Sequence, residues 1–256
     1  DYLKFSEFFS YEDCVSKEEN GHNRIDGYRA GGRMVLFKNE KILLTTGDYL
    51  YRPIAQNKDS VFGKIISIDL QTKDHEIIIM GIRNSQGLYY DKDKDIILFT
   101  DHGPKGGDEI NINFSPDNKI VENYGWPISS YGEHYDGKNR KEAPLHKSHK
   151  DYGFVEPIKY FTQRIAISEI IKIPNIFNEK FTNGFFVGAL GYKSNFSKGA
   201  RSIHHIHFDK DFKKIVFEDV IPIGERIRDM ILIEEKNVVL MILEDTPAVG
   251  VLKLDE

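Results

Sequence analysis

The sequence predicts an all-β fold, and within that class a β-propeller of four-stranded antiparallel blades. Long helical periodicity is nearly absent along the 256 residues. Short runs rich in Val, Ile, Phe and Tyr recur instead, separated by Gly, Asn, Asp and Lys, as is typical of strands joined by turns. Pairs of such runs return several times and end in a Gly/Asp cluster, which favours a propeller over a sandwich or a barrel.

The predicted strands follow one another along the whole chain. In order, they are residues 34–37, 41–46, 64–70, 75–82, 87–90, 96–100, 184–190, 202–208, 214–220, 230–234, 238–243 and 249–254. The pairs that end in Gly or Asp lie around residues 36–48, 88–103, 170–191 and 230–245. Since one blade takes roughly 40–50 residues, we expect about four to five blades in a single domain spanning residues 1–256.

Residues 115–160 depart from this pattern. They are rich in Gly, Pro, Tyr and His and show little periodicity. A long stretch of this kind inside a compact domain is typical of functional loops. We therefore interpret residues 115–160 as loops inserted in one blade, over the face that carries the functional site.

Composition and charge exclude several classes of protein. The net charge is −5 and no basic stretch is interleaved with aromatic residues, so no nucleic-acid partner is expected. Cys14 is the single cysteine, which excludes an internal disulfide and a cysteine zinc site. No apolar run reaches about 18 residues, so no membrane span is expected. No signal peptide is visible, and the chain begins with Asp1 rather than Met, as a processed or trimmed product does.

Four groups of motifs carry the functional signal. They read GGRM at 31–34 with LLTTGD at 43–48, GIRNSQGL at 81–88, HGPKGGDEIN at 102–111 with NYGWP at 123–127, and RIRD at 226–229. In this order and spacing they resemble the soluble quinoprotein glucose/sorbosone dehydrogenase family, the PQQ-dependent aldose sugar dehydrogenases. The resemblance extends from about Gly31 to the C-terminus.

The resemblance implies a six-bladed propeller and a periplasmic or secreted protein. The C-terminal pattern is similar to the last blade of that family, so N-terminal blade material is expected to be absent. Three interpretations stay open: the chain is a fragment, a partner chain completes the propeller, or the ring is smaller.

The resemblance also implies two cofactors, PQQ and Ca²⁺. PQQ is a planar tricarboxylate quinone, and arginine suits carboxylates because its fork donates two parallel hydrogen bonds. The residues implied at PQQ are Arg83, Asn84, His102, Asp108, Arg226 and Arg228. The carbonyls of Gly103 and Pro104 would hold Ca²⁺, which prefers oxygen ligands. The alternative is structural: the arginines brace blade carboxylates such as Asp229, and Asp108 caps backbone NH groups of a Gly-rich turn.

The residues that carry the family's chemistry are changed in this sequence. Arg29 occupies the position of the family's histidine base, which takes a proton from the sugar hydroxyl, and arginine stays protonated in proteins. His22 lies earlier and reaches the site only if the loop is arranged differently. Gly191 rather than a lysine follows the GAL strand, the nearest lysine being Lys193, and residues 162–168 lack the family's Trp.

Two further patterns carry less weight. His205 and His207 share one face of a predicted strand. A transition-metal site is one interpretation of this pair, and two solvent-exposed histidines are the favoured one. Residues 91–101 superficially resemble an EF-hand loop. Ile96 stands where that loop needs Gly, and His102 where it needs Glu, so the EF-hand interpretation is rejected.

Two functional hypotheses follow. The first is PQQ- and Ca²⁺-dependent oxidation of an aldose or related alcohol, with weak or altered activity because Arg29 stands at the base position. The second is a catalytically inactive propeller that binds a sugar, an anionic ligand or a protein partner. The retained arginines and the HGPKGGDE loop support the first, and the changed residues support the second.

Overall fold

The computed structural model describes residues 3–12, 14–16, 18, 27–117, 119–177, 180, 182–191 and 198–253. Within these residues the chain forms sixteen β-strands, four short 3-10 helices and no α-helix, which confirms the predicted all-β fold. The 3-10 helices are Arg52–Gln56, Lys150–Tyr152, Asn175–Phe177 and Glu234–Lys236. No helix in these ranges is long and apolar enough to cross a membrane.

The first two sheets account for the N-terminal half of the chain. The first sheet consists of the antiparallel strands β1 (Gly31–Phe37), β2 (Lys41–Thr46), β3 (Lys64–Asp69) and β4 (His75–Met80). The second consists of β5 (Ser85–Asp91), β6 (Ile96–Asp101), β7 (Asp108–Asn113) and, after the short β8 (Glu122–Asn123), β9 (Lys159–Phe161). Strand β8 pairs in parallel with β4, so it fastens the first sheet to the connection that leaves the second.

The other two sheets follow in the same order. The third sheet consists of β10 (Ile167–Ile173), β11 (Gly184–Ala189), β12 (Ser202–Phe208) and β13 (Ile215–Pro222). In the described residues the fourth sheet has three strands, β14 (Ile227–Ile233), β15 (Val238–Leu243) and β16 (Ala248–Leu252). The predicted four-stranded antiparallel blade is therefore confirmed for the second and third sheets, and the four sheets of the described residues agree with the predicted four to five blades.

The four sheets are arranged as the blades of a propeller. The innermost strand of each blade packs against the innermost strand of the next, in the order β1, β5, β10 and β14. Successive residues of a central strand enter different cores: Ile97 packs toward the first blade and Leu98 toward the third. Successive side chains of a strand point to opposite faces of the sheet. A strand covered on both faces therefore needs apolar residues at odd and even positions alike, which explains the continuous run IILF in β6.

The inserted region lies over one end of the blades. Between Asn113 and Lys159, the described residues contain only β8, one 3-10 turn and isolated bridges. One bridge pairs Glu133 with Lys105, which follows the end of β6. The peptide bond between Trp126 and Pro127 is cis. The indole NH of Trp126 donates to Oδ2 of Asp48 at 2.9 Å. These contacts place the region beside the loops that precede the inner strands.

The histidines of β12 are buried, so the interpretation of exposed strand histidines is wrong. Their strand is covered by rings of the same blade, with the Phe186 ring 5.0 Å from that of His205. Nε2 of His205 lies 2.8 Å from Nε2 of His207, and Nδ1 of His207 lies 3.0 Å from the carbonyl of Thr182. Because a carbonyl only accepts, Nδ1 of His207 carries a proton and donates it to Thr182.

Candidate functional site

A cavity of about 580 Å³ opens where the inner strands begin. Its lining residues are Tyr28, His102, Pro104, Asp108, Tyr135, Arg164, Ala166, Gly191 and Arg226. They come from the segments before β1, β10 and β14, from the β6–β7 connection, from the inserted region and from the end of β11. The volume is typical of a small-molecule site.

The structure brings the predicted site residues together at this cavity. His102, Pro104, Asp108 and Arg226 line it directly. Arg83 lies immediately behind them, where its Nη1 donates to the carbonyl of His102. Convergence of segments so far apart along the chain is a property of the blade order, since each segment precedes or joins strands at the same end of the propeller.

Asp108 holds the β6–β7 connection in shape. Its Oδ1 accepts from the backbone NH of Gly103 at 2.9 Å, and its Oδ2 accepts from the backbone NH of Ala166 at 2.9 Å. Burial, only partly opposed by these hydrogen bonds, raises the pKa of Asp108 to about 7. The connection is tight: a Cβ on Gly103 would lie 2.0 Å from the carbonyl oxygen of Gly107. Asp108 thus caps backbone NH groups and also lines the cavity.

The predicted calcium ligands have free carbonyls. Gly103 and Pro104 are both buried. Within the described residues, neither carbonyl accepts a hydrogen bond from the backbone or from a side chain. Buried carbonyls are almost always paired in proteins, so two consecutive unpaired ones suit a hard cation. The donor set therefore fits Ca²⁺.

Four arginines surround His102. Burial and the positive charges of Arg83, Arg29, Arg228 and Arg226 lower the pKa of His102 to about 3. The imidazole is therefore neutral at physiological pH. Nε of Arg83 is buried and has no partner in the described residues, which leaves a donor for an anionic ligand. This arrangement fits a tricarboxylate such as PQQ.

The two C-terminal arginines share one carboxylate. Oε2 of Glu244 lies 3.3 Å from Nε of Arg226 and 2.8 Å from Nη2 of Arg228. Asp229, the predicted brace, pairs instead with Arg33 of β1 at 3.1 Å. The expectation that Asp229 braces these arginines is wrong, because alternation along β14 directs its side chain away from theirs.

Asn84 connects two blades at the mouth of the site. Its Oδ1 accepts from the backbone NH of Gly31 at 3.2 Å and from Nε2 of Gln86 at 3.1 Å. The lining residues of the cavity do not include Asn84. The amide thus positions the start of β1 relative to β5.

Arg29 is a fixed cation behind the cavity wall. It adopts a left-handed conformation with φ 57°, and its Nη1 lies 3.4 Å from Oδ2 of Asp48. Gly47 is required at the contact, since a Cβ there would lie 1.6 Å from the carbonyl oxygen of Arg29. Burial and the charge of Arg83 lower the pKa of Arg29 to about 10, which still leaves it protonated at neutral pH.

His22 and Lys193 lie outside the described residues. Sequence reasoning missed three polar side chains of the lining, Tyr28, Tyr135 and Arg164. The guanidinium of Arg164 lies 5.0 Å from the centroid of the Tyr135 ring. Arg164 belongs to residues 162–168, where a tryptophan was expected, and that difference was the available signal.

Comparison with known proteins gives a consistent result. The model of the glucose/sorbosone dehydrogenase family matches residues 15–252. The aldose sugar dehydrogenase YliI of Escherichia coli is 30% identical over 177 residues, which cover 64% of this chain and 46% of that protein. The uncharacterized protein slr1608 of Synechocystis is 28% identical over 235 residues, covering 83% of this chain and 53% of that protein. The chain thus spans about half the length of the curated relatives it matches.

Solved structures agree on the fold. The crystal structure of apo aldose sugar dehydrogenase from Escherichia coli matches with a TM-score of 0.68 and 24% identity, covering 86% of this chain and 62% of that one. The PQQ-bound aldose sugar dehydrogenase of Streptomyces coelicolor matches with a TM-score of 0.59 and 17% identity, covering 85% and 56%. The predicted propeller is therefore confirmed.

Proposed function

The chain belongs to the glucose/sorbosone dehydrogenase family, and from that premise we propose that it is a PQQ- and Ca²⁺-dependent sugar dehydrogenase-like protein. The reaction would oxidise an aldose or a related alcohol, with weak activity toward glucose. The observation that carries this proposal is a cavity lined by His102 and Arg226, with Arg83 bound to the carbonyl of His102, beside a loop with two free carbonyls.

Some of the chain's own residues would hold the two cofactors, and another would orient the ligand in the cavity. Arg83, Arg226 and Arg228 would bind the carboxylates of PQQ, and the carbonyls of Gly103 and Pro104 would bind Ca²⁺. When bound, PQQ would supply the hydride acceptor for the reaction, and Ca²⁺ would supply a positive charge beside it. Neutral His102 is a hydrogen-bond donor at the same wall of the cavity.

Proton removal is the weak step in this protein. A positioned base is worth roughly 10²–10⁴-fold in rate, and Arg29 cannot act as one. Asp108, the acidic residue that lines the cavity, does not replace the missing base, because both of its oxygens accept backbone NH groups.

A titration followed by a turnover assay tests the proposal. PQQ binding in the presence of Ca²⁺ is measured first by calorimetry, and dye reduction is then followed with a panel of neutral aldoses. We expect binding, weak glucose turnover, and an increase of about tenfold or more in Arg29→His, since histidine restores a base. Lys236→Gln, at the opposite end of β14, is the charge control and should leave both measurements unchanged.

Ordinary family rates in the unmodified protein would show that Arg29 is not at the base position. Absence of PQQ binding would favour the second candidate, an inactive propeller that binds a sugar, an anionic ligand or a protein. The observation that favours this candidate is the Arg29–Asp48 pair, which places an ion pair where the family has its base.

The same proposal has two further parts. Additional blades pack against this chain, and the protein is exported. Apolar side chains are exposed at both ends of the row of blades: Met34 and Leu36 on β1, and Val249 and Val251 on β16. Large exposed apolar faces of sheets usually mark contacts. A further polypeptide, or further residues of the same one, would cover them. Cell fractionation and the mass of the purified protein in solution test both points.

A further inference from the structure

Among the residues that the structure describes, one cation at the cavity has no carboxylate partner. Arg164 lines the cavity, and its guanidinium lies 5.0 Å from the centre of the Tyr135 ring. No described carboxylate lies within salt-bridge distance of Arg164. Arg226 on the same cavity shares Glu244, by contrast, and Arg29 behind the wall is paired with Asp48.

The backbone holds Arg164 in place before any ligand arrives. The next residue, Ile165, is buried, and its carbonyl accepts from the backbone NH of Gly191 at 2.8 Å. Ala166 follows in a left-handed conformation with φ 54°, and its NH is bound by Asp108. The backbone is therefore fixed before binding, and the contact with the Tyr135 ring limits the freedom that the side chain can lose.

The remaining charges of the cavity do not offset Arg164. Asp108 is the acidic residue of the lining, and both of its oxygens already accept backbone NH groups. Tyr28 and Tyr135 add aromatic surface and hydroxyl groups, which suit a sugar ring better than a bare ion. An arginine fork binds a carboxylate or phosphate through two parallel hydrogen bonds, whereas a neutral sugar gives it no charge to pair with.

We propose that the cavity takes an anionic sugar, an aldose that carries a carboxylate or a phosphate, and that Arg164 binds the anionic group. The inference rests on the proposed function for the sugar and adds the class of substrate. Arg164 would select the substrate, and the oxidised carbon would lie beside His102 and Pro104, which line the same cavity.

Calorimetry on the full chain tests this without turnover. D-glucose, D-glucuronate, D-glucose 6-phosphate and inorganic phosphate are each titrated, with and without PQQ and Ca²⁺. We expect one of the two anionic sugars to bind at least about tenfold more tightly than glucose, because a hydrogen bond to a charged group is stronger than a neutral one. That preference should decrease as salt increases. The better of the two identifies carboxylate or phosphate as the group recognised.

Two substitutions locate the effect. Arg164→Gln keeps hydrogen-bond donors but removes the charge, and should reduce binding of the anionic sugar to the level of glucose. Lys236→Gln removes the same charge at the opposite end of the molecule and should change nothing. Arg164 is partly exposed, so the melting temperature of Arg164→Gln should match that of the parent protein. Tyr135→Leu, which removes both the ring beside the guanidinium and part of the cavity wall, is a second variant and should weaken all the sugars, the anionic ones more than glucose.

Several results would overturn the inference. They are equal affinity for glucose and the anionic sugars, an Arg164→Gln variant that keeps the preference, and phosphate binding as tightly as glucose 6-phosphate. A loss of PQQ binding as large as the loss of sugar binding would assign Arg164 to the cofactor instead. If anionic sugars bind through Arg164 but none is oxidised, the proposed function fails and the inference stands. If glucose is oxidised and no anionic sugar is preferred, the inference fails and the function stands.

Discussion

Arg33 connects the inner strands of the four blades, and its replacement by methionine should destabilise the propeller. From β1, its Nη2 reaches Oε2 of Glu169 on β10 at 2.5 Å, and its Nη1 reaches Oδ1 of Asp229 on β14 at 3.1 Å. Its Nε donates to the carbonyl of Gln86 on β5 at 3.2 Å. One side chain therefore spans the centre of the propeller, where four strands meet without hydrogen bonds between their backbones.

The magnitude follows from burial. The side chain of Asp229 is 41% exposed, so its pairing is worth about 0–1 kcal/mol. The side chain of Glu169 is 4% exposed, and a hydrogen bond from a charged donor to such a group is worth about 1.5–3 kcal/mol. Arg33→Met should therefore lower the free energy of unfolding by about 1.5–4 kcal/mol near pH 6.

The loss should grow at high pH. Burial raises the pKa of Glu169 to about 8, although Arg33 opposes the shift. A carboxyl whose pKa is raised on folding contributes stability that is present below its unfolded pKa and disappears as pH rises through the folded value. Without Arg33 the pKa of Glu169 rises further, so the variant continues to lose stability above pH 8. At high pH the total loss approaches about 3–5 kcal/mol, the cost of an unpaired buried charge.

Urea unfolding at pH 6 and pH 9, followed by the fluorescence of the single tryptophan, Trp126, measures both values. The matched control is Arg33→Met combined with Glu169→Gln, which removes the buried charge and should abolish the additional loss at pH 9. An equal loss at both pH values, or a double variant that keeps the pH dependence, would refute this reasoning.

Two further predictions concern the metal loop and the buried histidines. Gly103→Ala should reduce the affinity for Ca²⁺ and PQQ by roughly tenfold or more, because the added Cβ would lie 2.0 Å from the carbonyl oxygen of Gly107. Calorimetry checks this, with Lys105→Ala as the control. Unchanged binding in Gly103→Ala would contradict the prediction. Burial and His207 lower the pKa of His205 to about 4, below its unfolded value, so stability should decrease as pH falls from 6.5 toward 4. His205→Phe should flatten the melting temperature between pH 7 and 4.5, and an unchanged slope would show that other groups cause it.

Much of the fold was predictable because a propeller strand has a local signature. The run IILF of β6 has apolar residues at both parities, since Ile97 and Leu98 enter cores on opposite faces. Pairs of strands joined by a turn predicted the blades, because neighbouring antiparallel strands of a blade also follow one another in sequence. The strand predicted for 202–208 was right, but its exposure was not, because burial of His205 and His207 depends on what covers the blade.

The sequence alone thus determined the class of fold, the blade order and the family, which are all encoded in residues close together along the chain. The tertiary structure decided the partners of the charges. Arg228 is held by Glu244 and not by the adjacent Asp229, which crosses the centre of the propeller to Arg33. Arg164 reaches a cavity formed by six separate segments. Coulomb interactions and burial act between atoms that are close in space, and the closure of blades on one another, rather than any local pattern, brings these atoms together.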